Sequence, residues 1–245
     1  MRIDIIISAE QVNSDQVKTN TVIVVDTLRA TSTIITALSN GAKSVVPVAT
    51  VEEALHIRKQ YEHAVLGGER RSVKIEGFDY SNSPREYTNI EIHGTNIILT
   101  TTNGTKAISR SREGKRILIG ALLNAKAVAG KAFECGDDIV IVNAGTNGRF
   151  SMDDFITGGA IISELMDLGP LELSDIAKTA LLIYRSYKDI RSYIKEAAHY
   201  KSLEELGLQE DIDFCLQKDI FDIVPEYSDG VIKTGTAHLP EKLVI

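Results

Sequence analysis

Asp26 and Arg29 stand three residues apart, directly after the most apolar run of the chain, Thr21–Val25. A carboxylate at the end of a buried strand is either the N-cap of the next helix or a functional acid. A functional acid there can ligate Mg2+ as a hard oxygen donor or attack phosphorus directly. An Arg one turn further on suits bidentate capture of phosphate, sulfonate or carboxylate, or else a purely structural Asp–Arg pair. Three more apolar runs lead into comparable residues. Residues 96–99 lead to Thr102, Asn103 and Gly104, where a Gly at a helix start lets backbone N–H groups approach an anion; a plain Asn-Gly turn is the alternative. Residues 116–120 lead to Asn124, and residues 138–142 lead through Gly145 and Gly148 to Arg149, Asp153 and Asp154. Acids in a first helical turn are commonly dipole partners, but at the mouth of a phosphate pocket they can hold Mg2+ with several waters retained.

Two further segments carry polar chemistry. Gly67-Gly68-Glu69-Arg70 suggests close backbone approach and a second anion contact, with a charged surface turn as the alternative. In the loop of residues 77–84, Asn82 and Ser83 are hydrogen-bond candidates and Pro84 starts the next helix. No P-loop, dinucleotide fingerprint or serine-hydrolase elbow occurs. The five histidines, His56, His63, His93, His199 and His238, form no zinc-binding pair, and His56 and His63 are expected to face solvent. Cys135 and Cys215 lack a paired motif, and either suits a small buried hydrophobe.

The elements that must position these residues alternate. Strands are expected at Met1–Ser8, Thr21–Val25, Ile97–Leu99 with its Thr tail, Arg116–Gly120 and Asp138–Val142, with weaker ones at Val45–Val48 and Ala64–Leu66. Runs apolar on both faces suit a mainly parallel sheet, and Pro47 belongs at a sheet edge or strand end. Helices are expected from the Thr50–Glu53 capping box to about Tyr61, and over Asn124–Phe133, Asp153–Leu168 and Leu173–Tyr187. This pattern is α/β: a mainly parallel or mixed sheet flanked by helices, with a C-terminal helical part. One domain over residues 1–245 is expected, with a helical sub-lobe at about 171–225. Ligands of such sheets bind outside the carboxyl ends of the strands.

With 245 residues, 43% of them hydrophobic and 25% charged, the chain has the composition of a globular protein. A net charge of -7 argues against a nucleic-acid binder, so an anionic ligand needs local Arg, backbone N–H groups or a metal ion. No apolar run is long enough to span a membrane. The N-terminal residues lack a signal peptide's long apolar region, and two cysteines suit a reducing cytoplasm. Homo-oligomerisation is left open.

Six blocks together are specific: Val24–Ile34, Gly67–Arg70, Gly77–Pro84, Thr100–Ala107, Leu122–Ala129 and Asn143–Asp154. In this order they resemble the 2-phosphosulfolactate phosphatase family, and Ser202–Pro225 resembles its C-terminal region. Thr27 departs from the pattern, where a more apolar residue is expected. The resemblance implies an α/β fold and Mg2+-dependent hydrolysis of (R)-2-phospho-3-sulfolactate to 3-sulfolactate, on the way to coenzyme M. It also implies Asp26, Arg29, Glu69, Arg70, Ser83, Asn103, Gly104, Arg149, Asp153 and Asp154 as site residues. On this reading Asp26, Arg29 and Asp153 are catalytic. Arg70, Ser83, Thr102, Asn103, Gly104, Asn124 and Arg149 bind a small anionic phosphorylated hydroxy acid. Asp26, Glu69, Asp153 and Asp154 are candidate Mg2+ ligands. A metal-positioned water is favoured as nucleophile, with an aspartyl-phosphate on Asp26 as the other route. The rival reading is a non-catalytic sensor for the same class of acid, which would gain nothing from acids beside its ligand without a cation.

Overall fold

The computed structural model describes residues 1–61 and 63–235. Eleven strands form one mixed sheet: β1 (Arg2–Ile6), β2 (Thr21–Val25), β3 (Ser44–Pro47), β4 (Ala64–Arg70), β5 (Val73–Lys74), β6 (Asn96–Thr100), β7 (Arg116–Gly120), β8 (Ile139–Asn143), β9 (Glu172–Leu173), β10 (Pro225–Ser228) and β11 (Val231–Thr234). Their spatial order is β5-β4-β6-β3-β11-β10-β7-β2-β8-β1-β9. The sheet thus consists of two parallel blocks, β4-β6-β3 and β7-β2-β8-β1-β9, joined through an antiparallel hairpin.

The helices are α1 (Ser14–Val17), α2 (Ala30–Ser39), α3 (Val51–Arg58), α4 (Gly104–Arg110), α5 (Ala125–Glu134), α6 (Met152–Met166), α7 (Asp175–Ser186), α8 (Ile190–Ile194), α9 (Ala198–Glu205) and α10 (Gln209–Cys215). Alternation along the strands sets the two layers. Val22, Val24, Ile117 and Ile119 face the cluster that holds Ile34 and Ile35 of α2 and Ile108 of α4. Ile23, Val25 and Leu118 face α5, α6 and α7 on the other side. Val45, Ile97 and Leu99 of the second block join the same cluster as α2. The sheet therefore curls around α2, whose residues from Ala30 to Leu38 are all buried. A helix covered on every side must satisfy its hydroxyls internally, and it does. Thr31 Oγ1 donates to the Asp26 carbonyl, Ser32 Oγ to that of Thr27, and Thr33 Oγ1 to that of Asn82, all within 3.0 Å.

The expected α/β architecture stands, with local corrections. Pro47 ends β3, where its missing N–H costs no ladder bond. Thr50 caps α3 by accepting from Glu53 N, but that helix stops at Arg58. Leu173 is strand rather than helix, because Glu172 and Leu173 pair with Arg2 and Ile3 before Ser174 caps α7. Residues 225–234 are not helical cover but a hairpin inside the sheet. Helices α8, α9 and α10 pack through Ile194, Tyr200, Leu203, Ile212 and Cys215 against Leu28 and Ile156. His56 and His63 are exposed, as expected, while His238 lies outside the described residues. No helix among the described residues is long and apolar enough to cross a membrane.

Candidate active site

Four strand ends and one C-terminal helix wall a cavity of about 300 Å3. Beyond β2 come Asp26, Leu28 and Arg29; the end of β4 brings Glu69, followed by Arg71 and Ser72; beyond β6 come Thr101, Thr102 and Asn103; beyond β8 come Thr146 and Asn147; and α9 brings Ala198, His199 and Ser202. Four strands separate β2 from β6 in the sheet, so only the curl brings Asp26 and Asn103 together. Gly104 shows how close the approach is. A Cβ built there would lie 2.4 Å from Ala30 Cβ and 2.6 Å from Asp26 Oδ2. Only glycine lets the start of α4, with N–H groups that have no partner within the helix, sit beside that carboxylate.

Asp26 is 8% exposed, and Ala30 N donates to its Oδ1 at 3.3 Å. Burial is the main cause that pushes its pKa up to about 7; Asp153 and Glu69 raise it further, while His199 pulls it down. Asp154 is also pushed up, by burial first and then by Asp153 and Asp26. Its oxygens accept from Thr27 N and Gly145 N, both at 2.9 Å, so it ties the loops after β2 and β8 together. Asp153 is buried, acts electrostatically on Asp26, and accepts from Ser151 Oγ. Glu69 accepts from Thr102 N and Ser72 N, both at 2.7 Å, joining three segments of the wall. Among the described residues no three His, Cys, Asp or Glu side chains form a ligand cluster.

The arginines are sorted differently from the sequence-based expectation. Arg29 lines the cavity, but its guanidinium is buried, pairs with Asp211 at 2.5 Å and donates to Ser72 O at 3.0 Å. The peptide between Leu28 and Arg29 is cis. Arg70 turns away and donates to the carbonyls of Glu69 and Ala49 and to Thr100 Oγ1. Arg149 is exposed on the Thr146–Arg149 turn and is not part of the wall. Ser83 donates to Asp211 at 2.6 Å instead of facing the cavity. Asn124 corrects another expectation: its amide accepts from Ala121 N and donates to the carbonyls of Ile119 and Ile223, making a structural staple.

Thr102, Asn103 and Asn82 do reach the cavity. Asn82 is 4% exposed, and its Oδ1 has no hydrogen-bond partner among the described residues. Sequence reasoning missed His199, Arg71 and Asp211. His199 lines the cavity, and its buried Nε2 has no partner among the described residues. No spacing motif marked it, because it reaches the site from a helix more than 170 residues after Asp26. Arg71 adjoins the block that was recognised, but sequence alone did not distinguish its direction from that of Arg70.

A polar basin at the carboxyl ends of an α/β sheet, holding a carboxylate with a raised pKa and lined by arginine, belongs to an enzyme that handles a small anion. Comparison with known proteins gives the family. A sequence model described as 2-phosphosulpholactate phosphatase matches residues 6–230. A Clostridium acetobutylicum protein named probable 2-phosphosulfolactate phosphatase is 54% identical over 234 residues, covering 95% of this chain and all of that protein. A Clostridium beijerinckii protein of the same name is 52% identical over 235 residues, covering 95% of this chain and 99% of the relative. The chain belongs to the 2-phosphosulpholactate phosphatase family, a family of phosphoric monoester hydrolases.

Proposed function

We propose that the chain is a Mg2+-dependent phosphatase that converts (R)-2-phospho-3-sulfolactate to 3-sulfolactate and phosphate. One observation carries this reading: the carboxylate of Asp26, with its pKa pushed up to about 7, stands in the cavity wall against the start of α4. The names of the relatives support the substrate.

The donors fit Mg2+. Asp153 raises the pKa of Asp26, and Asn82 Oδ1 has no partner among the described residues. Mg2+ takes one or two carboxylates and fills its other positions with water and substrate phosphate, so a three-acid cluster is not required. Asp26 and Asp153 would hold it; Glu69 and Asp154, each engaged by two backbone N–H groups, leave the proposed set. A cation bound there would neutralise phosphoryl oxygens and favour in-line attack.

The chain's own groups do the rest. Arg29, held by Asp211, fixes the β4–β5 turn through Ser72 O, and the backbone beside Asn103 and Gly104 faces the phosphoryl group. His199, in the cavity wall, donates a proton to the leaving alkoxide. Water attack needs little help from a base, because the transition state is loose. Phosphate release from a panel of 2-phospho-hydroxyacids, with Mg2+ and with EDTA, tests the reading. Release that needs Mg2+ is expected; no release from any member favours the sensor. The stereochemical course at an isotopically chiral thiophosphoryl group separates the two routes: inversion indicates direct water attack, and retention indicates an aspartyl-phosphate.

A further inference from the structure

The short hairpin between β4 and β5 has two central residues, Arg71 and Ser72, with Arg70 paired to Val73 across it. Both central residues are left-handed, with φ of 53° and 65°. A two-residue turn with both φ values positive normally carries Asn-Gly or Asp-Gly, because an ordinary side chain costs energy in that region. Here the turn is instead held from outside. Glu69 accepts from Ser72 N, and Arg29 donates to Ser72 O. Two buried residues of the cavity wall therefore fix the turn that points Arg71 at the same cavity.

Charge makes Arg71 distinctive. Arg29 is matched by Asp211, with side-chain exposures of 2% and 4%. Arg70 and Arg149 do not line the cavity. Arg71 does line it, is otherwise exposed, and has no ion pair among the described residues. It is the guanidinium of the wall with its charge and its fork of donors still available.

We propose that Arg71 is the specificity residue of the site, gripping an anionic group of the substrate other than the phosphoryl group. This rests on the phosphatase reading and deepens it by naming the residue that holds the sulfonate or carboxylate. The phosphoryl group lies toward Asp26 and the start of α4, and the second anion lies at the rim under the β4–β5 turn. A planar guanidinium binds either oxyanion through two parallel N–H bonds.

The test compares wild type with Arg71→Asn, since Asn tolerates the left-handed region and keeps the turn. Arg71→Lys serves as the partial rescue. Two substrates are used: 2-phospho-3-sulfolactate and p-nitrophenyl phosphate, which has no second anion. Expected is a roughly 10- to 100-fold fall in kcat/KM for the first, mainly through KM, the loss of one charge-assisted contact. The second substrate should change by less than about threefold, and Lys should recover part of the loss. An equal fall for both substrates would overturn the proposal, because Arg71 would then act on the phosphoryl group. Titration calorimetry with 3-sulfolactate keeps the two readings apart. If wild type hydrolyses neither ester yet binds 3-sulfolactate, and Arg71→Asn abolishes that binding, the phosphatase reading fails and this inference stands. Equal affinity in both proteins, or no binding by wild type, sinks it.

Discussion

At the scale of single residues, Asp26 carries a conflict between stability and chemistry. Folding raises its pKa from 3.8 to about 7. Between those values the folded chain keeps a proton that the unfolded chain has released. The stability linked to that proton is complete below about pH 4 and disappears as pH rises through 7, amounting to about 4 kcal/mol. Asp26→Asn should therefore abolish phosphate release yet flatten the stability profile. Urea unfolding in EDTA at pH 5 and pH 8 checks this, and parallel losses in both proteins would contradict it. On the proposed reading the proton and Mg2+ compete for the same oxygens. The Mg2+ concentration needed for half-maximal activity should rise as pH falls below 7 and change little above it. The Asp26–Arg29 pair was visible in sequence because both follow an uninterrupted apolar strand. Its partners were not: His199 and Asp211 come from helices whose placement depends on tertiary packing.

At the scale of elements, two junctions decide whether the wall holds its shape. Asp211 of α10 reaches back 182 residues to Arg29, and its other oxygen accepts from Ser83. Asp211→Ala should cost about 3–5 kcal/mol, because it leaves a buried guanidinium without its counter-charge. Guanidinium unfolding measures that loss, and a cost below 1 kcal/mol would mean that Arg29 finds another partner. The second junction is the start of α4. Gly104→Ala should push that turn off Asp26 and Ala30, costing about 1–3 kcal/mol and most of the activity. Helix and strand positions were legible where periodicity was strong, as in β2, β7 and α6. The β10–β11 hairpin was overlooked, although it had a signal. Asp229-Gly230 separates its strands with φ of 51° and 83°, the turn that such a dipeptide favours. Short strands holding Pro, Glu, Ser, Lys and Thr masked it.

At the scale of the whole molecule, the order of strands could not be read from their pattern. The main strands of the two parallel blocks, β2, β6, β7 and β8, carry similar apolar runs, so sequence gives no reason for β2 and β6 to lie on opposite sides of a hairpin formed much later in the chain. That hairpin pairs with β7 at Glu226 and Leu118, and with β3 at Ile232 and Val45. A chain stopped after residue 221 should expose both inner edges and aggregate, which size-exclusion chromatography would detect as loss of the native peak. The arrangement also has a consequence in time. During synthesis, residues up to about 220 emerge with a gap across the middle of their sheet, and the curl that gathers Asp26 to Asn103 is not secured. The basin should therefore take shape only once residues 225–234 have left the ribosome, and a nascent chain should stay inactive until then.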